Sequence, residues 1–205
     1  MTFRVHIVLL LAVSCLAGLT SCGDNGSKGE APAYSGDFAA DTRIFVEEFA
    51  LSVATCNDSA ALAEQGWRAH SAQRLADESA ILLAEDAVTT CNDSLAVMGA
   101  LGPPPSATGS ERKPFDRARQ ACRRKFAAAR DYAALVPLMV RGEATPEQDA
   151  EFAETYAAAT ADSGPCAETI LAAGERGGLA WSEIHDALTA AAQRADERSN
   201  VKGRD

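Results

Sequence analysis

The sequence predicts an all-α protein, an up-and-down helical bundle of four to six helices stapled by two disulfides. Three observations carry that prediction. Alanine fills 43 of the 205 positions while aromatic residues make up only 6%; alanine loses no rotamer freedom in a helix and offers little to a pleated surface. Apolar residues recur at three- and four-residue steps in one segment after another, the period of an amphipathic helix. Cys56, Cys91, Cys122 and Cys166 fall one to a segment, an even number placed to cross-link neighbours. With 47% apolar residues the chain can bury a core, and its length suits one domain with a tail.

The helices follow in order. From Asp37, Phe45, Phe49, Ser52 and Cys56 share a stripe, with Asn57-Asp58 and Gly66 as candidate breakers. A second stripe, Ile81, Ala84, Val88, Cys91, Leu95 and Met98, ends before Gly99 and the Gly102-Pro103-Pro104-Pro105 run. The third helix starts at Pro114 and carries Phe115, Ala118, Cys122, Phe126, Ala129, Ala133, Val136 and Val140. Thr145-Pro146-Glu147-Gln148 has the form of a capping box with proline at the first helical position, opening a helix with Phe152, Ala153, Tyr156 and Ala157. Gly164-Pro165 interrupts it and Cys166 opens a short segment. After Gly177-Gly178, a last run shows Trp181, Ile184, Leu188, Ala191 and Ala195. The expected folded domain is 37–195, with 196–205 as a frayed tail.

Antiparallel helices bring together residues equidistant from their turn. The midpoint of Cys91 and Cys122 falls in the 99–113 loop, and that of Cys122 and Cys166 in Gly142-Glu143-Ala144. Cys56 joins the same level only if a turn lies near position 73.5. Three connectivities are open. The breakers favour Cys91–Cys122 with Cys56–Cys166, and the second choice is Cys56–Cys91 with Cys122–Cys166. A five-residue echo, Thr55-Cys56-Asn57-Asp58-Ser59 and Thr90-Cys91-Asn92-Asp93-Ser94, lacks extended similarity around it and is too short to define a repeat architecture.

The N-terminus reads as an export signal: Arg4, an apolar run from Val5 to Val13, then small residues. Its end, Leu19-Thr20-Ser21-Cys22, resembles the lipobox of bacterial lipoproteins. The resemblance implies cleavage before Cys22, a diacylglyceryl group on its thiol, and anchorage to the inner or outer membrane, facing the periplasm or exterior. Residues 1–21 are then the signal and 22–36 a flexible tether of Gly, Ser, Pro and charge. The chain left after cleavage has 18 basic and 29 acidic residues, a formal charge of −11. Such a charge repels phosphate backbones, so nucleic acid is not an expected partner.

The sequence offers little for catalysis. Outside the signal only His70 and His185 could serve as imidazole bases. The residues three before them are Trp67 and Ser182, so the E-x-x-H pairs of di-iron bundles are missing. Long cysteine spacings argue against zinc, and there is no C-x-x-C-H, H-E-x-x-H, G-x-S-x-G or Gly-rich phosphate loop. The paired acids Glu47-Glu48, Asp77-Glu78 and Glu85-Asp86 are sequence neighbours that diverge around a helix rather than face across a cleft. No catalytic residue, metal ligand set or cofactor is expected. His70 is expected to pack on Trp67 and His185 to lie at the surface. A small-molecule, haem or metal-binding bundle is the alternative, with His70, His185, Met98 and Met139 as its possible ligands.

One segment departs from the acidic background. Arg112, Lys113, Arg117, Arg119, Arg123, Arg124, Lys125 and Arg130 lie within nineteen positions on the Cys122 helix. Because these charges surround the helix rather than form one row, pairing with acids such as Glu78, Glu85 and Asp86 is the expected outcome. A binding surface, where there is one, is expected at Arg117, Arg119, Arg123, Arg124 and Arg130, for a protein or peptide partner.

Overall fold

A computed structural model describes residues 33–161 and 164–202. The signal, the Leu19–Cys22 motif and tether positions 23–32 lie outside the described residues. Among those described there are six α-helices: α1 (Phe38–Ser71), α2 (Asp77–Ala100), α3 (Arg112–Arg141), α4 (Pro146–Thr160), α5 (Gly164–Arg176) and α6 (Trp181–Lys202). None of them is long and apolar enough to cross a membrane.

The topology is up-and-down: α1 up, α2 down, α3 up, α4 and α5 together down, and α6 up the outer side of α1. The α1–α2 turn is Ala72–Ala76, closed by backbone bonds to Arg68, Ala69 and His70, with Gln73 at φ 55°. It falls where the Cys56–Cys91 midpoint places it. The candidate breakers do not act. Asn57-Asp58 lies within continuous helix, and Gly66 is buried where a Cβ would come within 2.7 Å of the Leu83 side chain. That glycine lets α1 and α2 approach closely.

All four cysteines therefore share one level, and the bonds are Cys56–Cys91 and Cys122–Cys166, with Cα atoms 4.6 and 4.8 Å apart. This reverses the preferred pairing of Cys91–Cys122 with Cys56–Cys166. Once every cysteine is level, both pairings join helices in the same bundle, and the direction each side chain faces decides between them. Equidistance from a turn contains no such information. Two disulfides belong to an oxidising, extracytoplasmic compartment.

The capping box of α4 is present, with the Gln148 amide donating to Thr145 Oγ1 and the Thr145 amide to Gln148 Oε1. Other boundaries shift. A short 3₁₀ turn, Gly109–Glu111, starts α3 at Arg112 rather than Pro114, and α6 continues past Ala195 to Lys202, so the expected frayed tail is largely helical. The start is also earlier: the Tyr34 hydroxyl donates to the Gly102 carbonyl at 2.9 Å. The Asp41 carboxylate accepts from the Ser35 amide, the Ser35 hydroxyl and the Gly36 amide. The last residues of the expected tether are thus fastened to the bundle.

Two main core clusters divide the molecule. Near the end where the tether joins, Phe45 stacks on Phe49 at 5.1 Å and meets Phe115 edge-on at 5.0 Å, among Met98, Leu101, Phe126, Ile170 and Ile184. Toward the other end, Ala63, Ala84, Ala87, Ala133 and Val136 surround Tyr132 and Phe152. On α2 the buried line is Ala80, Ala84, Ala87, Cys91, Ser94 and Met98, with Ile81, Val88 and Leu95 flanking it half-buried. Small residues take the closest contact and large ones fill its sides. Trp181 leaves the expected α6 stripe altogether and is 59% exposed.

Candidate functional site

The eight basic residues between 112 and 130 on α3 divide into three held by the fold and five left exposed. Arg119 lies half-buried against α2, donating to the Gly99 carbonyl at 3.0 Å and toward the Met98 carbonyl, with Asp116 beside it. It satisfies the carbonyls left open at the C-terminus of α2. Arg130 donates through Nε and Nη2 to one carboxylate oxygen of the neighbouring Asp131, at 2.8 and 2.5 Å. Lys125 donates to the Ala161 carbonyl at the end of α4 at 2.6 Å. Arg112, Lys113, Arg117, Arg123 and Arg124 are exposed and make no ion pair among the described residues.

The expected pairing with Glu78 and Glu85 is not made, and the register explains why. Cys91 and Cys122 share a level, so residues 112–124 run beside the second half of α2, whereas Glu78 and Glu85 lie in its first half. Of the five residues expected to form a binding surface, Arg117, Arg123 and Arg124 remain available. Arg119 and Arg130 are committed to the fold.

A second feature is a cavity of about 390 Å³ between α1, α3 and the end of α4, lined among others by Asn57, Glu64, Arg68, Lys125 and Tyr132. Its volume is within the range of small-molecule sites. Arg68 pairs with Glu64 at 2.5 Å and donates to the Tyr156 hydroxyl, which donates in turn to Glu64 at 3.1 Å. Tyr132 is buried, and its hydroxyl has no hydrogen-bond partner among the described residues. Burial first, then the negative charge of neighbouring groups, raises its ionisation well above the ordinary phenol range. The cavity thus holds one carboxylate already engaged by two donors and one neutral phenol. Glutamate and arginine at i and i+4 could have been read as a pair from sequence; their convergence with Tyr132 and Tyr156 depends on α4 folding back.

The histidines occupy opposite ends. His70 is in the last turn of α1, its ring 5.9 Å from Trp67 and Nδ1 3.5 Å from Asp77. His185 is exposed near the start of α6, 6.5 Å from Trp181. Met98 lies in the Phe45 core and Met139 beside the Tyr132 core. The described residues hold no group of three or more His, Cys, Asp or Glu able to bind a metal ion, so the ligands named for a haem or metal bundle do not meet.

The class of protein these features define is a disulfide-stapled all-α bundle with one basic helical face. No protein-family model matches the chain, and no curated protein or solved structure is significantly similar to it.

Proposed function

We propose that this chain is an extracytoplasmic lipoprotein, held to the cell envelope through Cys22, whose helical domain binds a protein or peptide partner and does no chemistry of its own. The observation that carries the reading is the outer face of α3, where Arg117, Arg123 and Arg124 stand exposed without ion pairs among the described residues, on a strongly acidic chain. Surface cations with no intramolecular pair to break can face an acidic partner directly and speed its encounter. The partner therefore presents carboxylates. Reversing Arg117, Arg123 and Arg124 to glutamate should abolish partner capture from solubilised envelopes while leaving the circular dichroism unchanged. Retained capture sinks the assignment. Mass spectrometry of the mature N-terminal peptide tests the anchor, which adds a diacylglyceryl mass to Cys22.

The cavity favours a second reading, in which the bundle carries a small polar molecule that accepts from the unpartnered Tyr132 hydroxyl. Native mass spectrometry of protein purified from its own cells would reveal a bound species, and Tyr132→Phe should release it.

A further inference from the structure

The end of the bundle that receives the tether is built differently from the rest of the surface. The Tyr34–Gly102 bond fixes where the tether arrives, beside the α2–α3 loop and the start of α3. The start of α6 is at this same end. Gly177 lies directly against Thr42, and Arg43 reaches Glu183 at 3.8 Å. Trp181 thus stands at the tethered end, one of three large apolar side chains exposed among the described residues and the only aromatic one.

The charges at this end are sorted. Asp37 caps α1 by accepting from the Ala40 amide, and Asp41 is enclosed by Ser35 and Gly36. Glu111 accepts from the Thr108 amide and hydroxyl. Glu183 accepts from the Ala180 amide and pairs with Arg43. These four carboxylates keep their negative charge, but their oxygens are turned to the fold's own donors. Arg112 and Lys113 are exposed and without an ion pair among the described residues; Arg176 is exposed too, next to Glu175, and its charge acts on Glu111. An exposed amphipathic indole at the same end as exposed cations is a combination that settles at the boundary between lipid headgroups and water.

Tether length agrees. Ten residues separate Cys22 from Ala33, and a chain of that length spans at most about 36 Å. The tethered end is therefore never far from the bilayer, and its local concentration there is high. We infer that this end docks on the bilayer itself, with Trp181 seated among the headgroups and Arg112, Lys113 and Arg176 on anionic lipid phosphates. This rests on the lipid-anchored reading above and concerns a different surface from the Arg117–Arg124 face. Docking fixes the axis of the bundle relative to the membrane, leaving the α4 end directed away from it.

The test uses the intact lipidated protein carrying Trp67→Phe, which leaves Trp181 as its sole tryptophan. It is reconstituted on zwitterionic vesicles and on vesicles containing phosphatidylglycerol, each with brominated acyl chains. Co-sedimentation with both vesicle types reports the anchor. Quenching and blue-shifted emission of Trp181 on the anionic vesicles report docking, and Arg112→Gln and Lys113→Gln should each lower the docked fraction's equilibrium about fivefold. Failure to sediment with zwitterionic vesicles overturns the anchor reading. Sedimentation with an unquenched, water-exposed Trp181 overturns the docking alone. Protection of Trp181 only when an envelope protein is added also overturns it, and assigns this end to a protein.

Discussion

The two halves of the bundle are built on different rules. The half in which α1 begins is filled by large side chains in direct contact, Phe45, Phe49 and Phe115 at 5.0–5.1 Å, and its backbone is pinned by Tyr34, Asp41 and the Gly177–Thr42 contact. The far half relies on alanines around a few aromatics and borders the cavity. Both disulfides lie near the boundary. The comparison shows that one alanine-rich composition supports two kinds of packing. Where phenylalanines fill the layer between helices it is rigid; where alanines draw the helices close, space is left beside them.

The strongest way to break this contrast is to remove its boundary. Replacing all four cysteines with alanine should cost on the order of 4 kcal/mol per bridge, from loops of 35 and 44 residues, measured as urea stability against the oxidised protein. Next, Phe45→Ala should cost about 3–5 kcal/mol, and Phe152→Ala, at the edge of the far core, no more than the low end of that range. Equal losses would erase the distinction. Gly177→Ala should cost about 1–3 kcal/mol, because the added methyl collides with Thr42. Tyr132→Phe should leave stability within about 1 kcal/mol of wild type and on the stabilising side, since it deletes a hydroxyl with no partner.

Acid should act on the halves in opposite directions, as the smallest effect. Burial raises the Asp41 carboxyl, but the three donors from Ser35 and Gly36 outweigh it and hold it below its ordinary 3.8. Its contribution is complete above that value and is lost as pH falls through the folded value. Asp58 on α1 is raised, by burial and then by the negative charge of Asp196 on α6. That repulsion is relieved as pH falls. Asp41→Asn should flatten the loss in an acid titration of stability, and Asp196→Asn should reduce the relief, leaving the part due to burial. A titration unchanged in both variants would refute both assignments.

Much of the fold is readable from sequence because helix formation is local. The α3 stripe from Phe115 to Val136 and the Thr145–Gln148 cap need no knowledge of the rest of the chain. What escaped was set by contacts between helices. Gly66 reads as a breaker until Leu83 is placed against it, and the cysteine pairing depends on which way each side chain faces. The binding surface was half legible: Arg117, Arg123 and Arg124 are free, but Arg119 turns to the α2 carbonyls because the 99–113 loop folds close to it. Trp181 shows the limit of periodicity, which marked its stripe without seeing that the helix begins at the rim of the bundle, where one side of the first turn has no neighbour.

The cysteines join first to second and third to fourth, so the two covalent loops neither overlap nor enclose one another. A chain emerging N-terminus first through an export pore can close Cys56–Cys91 before Cys122 has appeared. Among the four cysteines of the bundle, each bond then forms between the two thiols most recently presented; with Cys22 taken up by the proposed lipid anchor, oxidation in order of arrival yields the native connectivity without later reshuffling.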